Sequence, residues 1–164
     1  MTRALALALL LTTAAHAETI TGRASVIDGD TIEIAGERIR LNGIDAPESR
    51  QLCLDAASRE YRCGQAAALA LDAFLAARRP TTCRIIDTDR YGRAVAVCRA
   101  AGQDVAAWLV RNGHALDWPR YSGGAYNAAQ EHARGARKGM WAGRFARPWE
   151  WRRDRGAGLM GDSK

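Results

Sequence analysis

Lysine is almost missing from this chain of 164 residues. It occurs only as Lys138 and Lys164, and the rest of the 24 basic side chains are arginine. No Cys-x-x-Cys spacing occurs, no histidine lies near any of the four cysteines, and no internal repeat is visible. A structural zinc site is therefore disfavoured, since it needs closely spaced thiolate and imidazole ligands. The longest apolar run near the N-terminus, Ala4 to Leu11, falls short of the roughly 20 residues that span a bilayer. No cysteine follows it closely enough to take a lipid, so no membrane anchor is expected.

What the chain does have begins with Arg3, that apolar run, and Ala15-His16-Ala17, the pattern of a secretory signal peptide over residues 1–17. Cleavage before Glu18 would leave 147 of 164 residues, enough for one domain with a single core and expected as a monomer. Export predicts a periplasmic or secreted protein, in which four cysteines read as two disulfides. The formal charge of +6 (24 basic against 18 acidic) becomes +5 once Arg3 is removed. With a sequence pI near 9.6, it favours polyanions, nucleic acid before an anionic membrane surface. Guanidinium forks suit phosphate, although a GC-rich genome biases composition the same way.

Alternation and turn residues predict strands over residues 19–27, 31–35, a third carrying Arg40, and then 81–86 and 93–99. Helices are predicted over 64–77, 104–112 (ended by Gly113) and 125–140. The last two strands are joined by Asp89-Arg90-Tyr91-Gly92, the pattern of a type I turn. A turn centred between Arg90 and Tyr91 sets Cys83 opposite Cys98, leaving Cys53 and Cys63 to close the loop after Glu48. This order fits a small α+β domain over 18–153, a five-stranded OB-type Greek-key β-barrel with three packed α-helices. The polar, glycine-rich residues 154–164 read as a disordered tail.

The chain is organised around Arg40-Leu-Asn-Gly-Ile-Asp-Ala-Pro-Glu48. Ile39 and Leu41 share one face of a strand, while Arg38, Arg40 and Asn42 share the other. Gly43 marks a bend, and Pro47 cannot donate to a ladder, so pairing stops and Asp45 and Glu48 are presented near Arg40. Asp28-Gly29-Asp30-Thr31 lies upstream at a turn, and Asp89-Arg90-Tyr91-Gly92-Arg93 lies downstream. In order, spacing and residue type, these blocks resemble the three signature blocks of the staphylococcal nuclease family, with weaker similarity to about Trp141.

That resemblance implies the OB-type barrel and a calcium-dependent endonuclease that cleaves DNA and RNA to 3′-phosphate ends. Asp30, Asp45 and the Ala46 backbone carbonyl resemble its Ca²⁺ ligands, and Asp28 the outer carboxylate that reaches the ion through water. Glu48 matches the general base, while Arg40 and Arg93 match the arginines that clamp the phosphate. Arg90 and Tyr91 of the third block, with Trp118 and Tyr121, are candidate substrate contacts. Trp118-Pro-Arg-Tyr121 matches the family's paired tyrosines only roughly, and Trp118 could equally pack on the barrel. Ala46 stands where the type member has threonine, and the cysteine-bearing loop 49–63 is longer than its counterpart.

Elementary chemistry supports the same residues. Phosphodiester hydrolysis needs a nucleophilic water and neutralisation of phosphoryl charge. Four carboxylates gathered against two guanidiniums repel one another unless a cation joins them. An all-oxygen donor set favours Ca²⁺ ahead of Mg²⁺ over zinc. Two other readings stand beside the enzyme: a non-catalytic nucleic-acid-binding OB module, and a basic surface adhesion domain, which leaves the acidic cluster unexplained. Trp141, Trp149 and Trp151 read as packing anchors for the C-terminal segment.

Overall fold

The computed structural model describes residues 18–160, with side chains described through Asp154. The expected signal peptide, residues 1–17, and the last four residues of the expected tail lie outside the described residues.

The first predicted strand divides at Arg23 into β1 (Thr19–Gly22) and β2 (Ala24–Asp28). β3 (Thr31–Ile34) and β4 (Glu37–Leu41) follow through the Ala35-Gly36 turn, both residues of which have positive φ. Next come the short β5 (Ile44–Asp45), and a hairpin of β6 (Leu52–Leu54) with β7 (Glu60–Arg62) inside the loop that the sequence left without structure. Helix α1 (Cys63–Ala76) leads to the long hairpin β8 (Thr81–Thr88) and β9 (Ala94–Ala100), then β10 (Gln103–Asp104). The rest is α2 (Val105–Arg111), β11 (Leu116–Asp117), α3 (Pro119–Ser122), α4 (Asn127–Gly135), a 3-10 turn (Gly139–Ala142) and α5 (Pro148–Met160).

The strand order β1-β8-β9-β4-β3-β2 has β1 at one end and β2 at the other, although they are halves of one bent segment. The sheet therefore curls on itself, as an OB-type barrel must. β4 runs parallel to β9, and every other pair in this path is antiparallel. Ile32, Ile34, Ile39, Leu41 and Ala96 fill the interior with almost no exposure, and α1 covers them with Leu71, Phe74 and Leu75. Each buried Leu or Phe contributes about 1.5–3 kcal/mol relative to leaving it in water. Phe74 stacks on Trp108 of α2 at 4.2 Å, and α2 is capped by Asp104, which accepts the Ala107 N–H at 2.9 Å.

Three predicted features change. The third helix ends at Gly135 rather than continuing to residue 140, because Arg137 adopts φ +50 and the chain turns so that Gly139 packs on the backbone of Gly113. Helix α5 runs past Asp154 to Met160, into the stretch expected as a tail. Pro148 starts that helix and Trp149 and Arg152 dock it, after which propagation adds a bond for each residue fixed, despite the polar composition. Helices α3 and α5 thus add to the three expected.

The disulfides join Cys53 to Cys63 and Cys83 to Cys98. Cys83 does face Cys98, but not through a simple two-residue turn. Gly92 at φ +79 makes Asp89 pair with Arg93, one residue off the expected register. A bulge between Ile85 and Asp87 takes the extra residue back up before Cys83 is reached. Two compensating offsets restore the pairing.

Candidate active site

The site is assembled by register. β3 and β4 pair Thr31 with Arg40, which brings Asp30 beside the Arg40 side chain. At the far end of β4 the Leu41 N–H donates to the Asp30 carbonyl at 2.9 Å. Gly43, at φ +74, turns the chain, and a Cβ there would meet Ser122 at 2.9 Å. β5 then pairs Asp45 with Leu116 of β11, fixing the carboxylate at the base of the cleft, and Trp118 N–H donates to the Gly43 carbonyl at 2.9 Å.

Arg40 is the link between two buried acids. Its Nη2 lies 3.0 Å from Asp45 Oδ1 and 3.2 Å from Asp30 Oδ2. Asp30 also accepts from Thr31 Oγ1 at 3.1 Å and from the Ala46 N–H at 3.3 Å, while Asp28 accepts the Asp30 N–H at 3.1 Å. Burial pushes the Asp30 carboxyl up to about 7, against the pull of Arg40 and with help from the charges of Asp28 and Asp45. Burial likewise raises Asp45, opposed by Arg152 and then Arg40. Burial outweighs the guanidinium partners of both carboxylates and holds them above their ordinary range.

Glu48 stands at the rim, and its backbone is fixed from three sides. Gln51, wholly buried, accepts the Glu48 N–H at 3.3 Å, and its own N–H donates to the Glu48 carbonyl at 2.8 Å. Gln51 Nε2 donates to the Ala146 carbonyl at 2.7 Å, tying this loop to the segment before α5. A Cβ on Gly64 would run into the Glu48 carbonyl, so only glycine lets α1 pack this closely, next to the Cys53–Cys63 bond.

The β8–β9 turn forms the opposite wall. Asp89 grips Arg93 through Nε at 2.8 Å and Nη2 at 2.7 Å, and also accepts the N–H groups of Tyr91 and Arg93. Burial works against the charge on Asp89, but these donors prevail and hold its carboxyl below the usual range. Tyr91 is 70 % exposed at the rim, with Arg90 and Arg93 over its ring at 5.0 and 5.7 Å. Trp118 meets Tyr121 edge-on at 4.6 Å and stacks on Trp149 at 5.8 Å. Trp118 is thus both packed and turned to the cleft, with Arg40 and Arg152 over its ring at 5.8 and 5.7 Å.

Of the predicted site residues, Asp28, Asp30, Arg40, Ala46, Glu48, Arg90, Tyr91, Arg93, Trp118 and Tyr121 all line one cleft of about 790 Å³. Asp45 lies beneath its surface with no side-chain exposure. Among the described residues, no group of three or more His, Cys, Asp or Glu side chains closes around a common metal position. The donor chemistry nevertheless suits a hard cation: buried carboxylate oxygens with no nitrogen or sulfur ligand among them.

Two site residues were not foreseen. Arg152 of α5 reaches Asp45 in a fork, at 2.7 and 3.1 Å, and Glu48 at 2.7 Å. It sits in a run of arginines and tryptophans with no motif to single it out. Gln51 is an uncharged residue in a loop and carries no signal at all.

Comparison with known proteins agrees with this fold. Residues 38–143 match the model of the staphylococcal nuclease homologue family. The chain is 54 % identical over 136 residues to the succinoglycan biosynthesis protein ExoI of Rhizobium meliloti (strain 1021), covering 82 % of this chain and 71 % of that one. It is 35 % identical over 129 residues to the probable staphylococcal-like nuclease CAN1 of Oryza sativa subsp. japonica, covering 77 % of this chain and 36 % of that one. It is 33 % identical over 134 residues to an uncharacterized endonuclease of Escherichia coli O157:H7, with 77 % and 80 % covered. A curled barrel with two arginines and an acid cluster in one cleft defines the class. The chain belongs to the staphylococcal nuclease family.

Proposed function

We propose that this protein is an endonuclease that hydrolyses phosphodiester bonds of DNA and RNA with the help of calcium, leaving 3′-phosphate ends. The observation that carries the reading is Arg40 held between buried Asp30 and Asp45, in a cleft that also gathers Glu48 and Arg93. Asp30, Asp45 and the Ala46 carbonyl would hold the ion, with Asp28 behind them. When bound, calcium supplies charge neutralisation on the phosphoryl oxygens and a fixed position for the attacking water.

The chain's own groups do the rest. The Glu48 carboxylate takes a proton from the water as its oxygen attacks phosphorus. The bond from phosphorus to the 5′ oxygen breaks, and that oxygen leaves as an alkoxide that takes its proton from solvent water. Arg40 and Arg93 hold the phosphoryl oxygens in planar forks, which strengthens as charge builds in the transition state. Tyr91, Tyr121 and Trp118 offer faces on which bases stack, at about 1–3 kcal/mol each. The net charge and arginine-rich surface favour a polyanion, and the two disulfides suit export to the periplasm or beyond.

Incubating supercoiled plasmid and RNA with purified protein tests this. Nicking with calcium and none with chelator is the expected result. Binding without cutting under both conditions would replace the enzyme with a nucleic-acid-binding module.

A further inference from the structure

Arg152 makes the bonds that a metal ion would need. Its Nη1 and Nη2 take both oxygens of Asp45, and Nη1 also takes Glu48 Oε1 at 2.7 Å. Asp45 is fully buried and cannot turn to water, whereas the Arg152 side chain is 35 % exposed and can. A divalent cation on Asp45 would need lone pairs that the guanidinium already holds, and the two positive charges would repel at this range.

We infer that Arg152 is a tethered cation that occupies the Asp45–Glu48 carboxylates when calcium is absent, making α5 an autoinhibitory plug that calcium must displace. The inference rests on the calcium reading proposed above. The architecture suits release. Gln51 anchors the chain at Ala146, two residues before Pro148 starts the helix, so α5 has a fixed pivot. Among its contacts past that point are the stack of Trp149 on Trp118, the packing of Trp149 against the cluster around Cys53 and Cys63, and the ion pairs of Arg152. Glu48 Oε1 is gripped in the same contact, so the carboxylate assigned as base carries a cationic partner until the ion displaces it. Linkage makes the effect reciprocal: by whatever factor Arg152 weakens calcium binding, calcium weakens the docking of α5.

Calorimetric titration of calcium into the wild-type full chain and Arg152→Ala tests the plug, together with hydrogen exchange at amides 149–154 with and without calcium. A plug engaged in nine molecules of ten lowers apparent affinity about tenfold. The variant should therefore bind at least about tenfold more tightly, and calcium should speed exchange in the wild type. Equal or weaker binding by the variant, or unchanged exchange, would overturn the plug while leaving calcium as the cofactor. Absence of calcium binding in both proteins would refute the cofactor and the plug together. Arg152→Gln, which keeps a donor without the charge, repeats the titration if the alanine variant does not fold.

Discussion

Two arginines in the same cleft each grip an aspartate, and they do so in opposite ways. Arg93 meets Asp89 four residues away on a single turn, in a pair that stays partly exposed. Arg152 meets Asp45 across 107 positions of sequence, and that aspartate has no exposure at all. The first pair is made by a hairpin that orders itself locally, and it holds a guanidinium in the lining of the cleft. The second exists only once the barrel, the disulfide loop and α5 have come together. In the mechanism proposed above, the local pair presents chemistry and the long-range pair decides whether it is available.

The sharpest way to press this contrast is to change the presenting arginines. Arg40→Lys and Arg93→Lys keep the charge but lose the fork, and each should cost about 10²–10³ in turnover on plasmid DNA. They should part company in thermal melts. Arg40 bridges two buried acids, so its loss should destabilise by about 1.5–3 kcal/mol. Arg93 pairs with a carboxylate nearer water, and its loss should cost no more than about 1 kcal/mol. Matching stability losses would mean that Arg40 does not bridge Asp30 and Asp45 in solution.

A smaller effect distinguishes the two disulfides. Cys83 and Cys98 already face each other in a paired hairpin, so replacing both with alanine should cost less than the ~3 kcal/mol of a free 15-residue loop and leave turnover per folded molecule unchanged. Replacing Cys53 and Cys63 with alanine loosens the segment that carries Glu48, and turnover should fall beyond what a urea melt explains. Loss of activity in the hairpin variant would reverse the assignment.

The hairpin was legible in the sequence because its signals are contiguous: turn residues at fixed offsets, alternation on both sides, and cysteines that fall opposite one another. The blocks around Asp28, Arg40 and Arg93 were legible for the same reason, each occupying fewer than ten consecutive residues. Even there, the bulge between Ile85 and Asp87 shows that the register came right through two offsets that cancel. Arg152 and Gln51 were illegible because their roles depend on distance in sequence. Gln51 gains its meaning from Ala146, 95 positions on, and Arg152 from Asp45. Helix α5 was missed because composition reports on the isolated segment, whereas docking of Trp149 and Arg152 supplies its first turn.

A separate expected effect is a pH dependence. Asp30 has a folded-state pKa of about 7 against an ordinary 3.8. The folded protein therefore holds this proton more tightly than the unfolded chain does. Its contribution to stability is full below pH 4, is lost as pH rises toward 7, and stays lost above that. Melting temperature without metal should fall across this window for the wild type, with a flatter profile for Asp30→Asn. Identical profiles would place the Asp30 carboxyl in water rather than behind Arg40.

The most direct test of the assigned chemistry is Glu48→Gln, which keeps the shape and hydrogen-bonding capacity of the side chain but cannot take a proton from water. With calcium and DNA at matched folded concentration, kcat should fall by at least about 10²–10⁴, while DNA affinity holds or improves slightly as a negative charge leaves the cleft. Cleavage equal to that of the wild type would take the base role from Glu48 and contradict the mechanism.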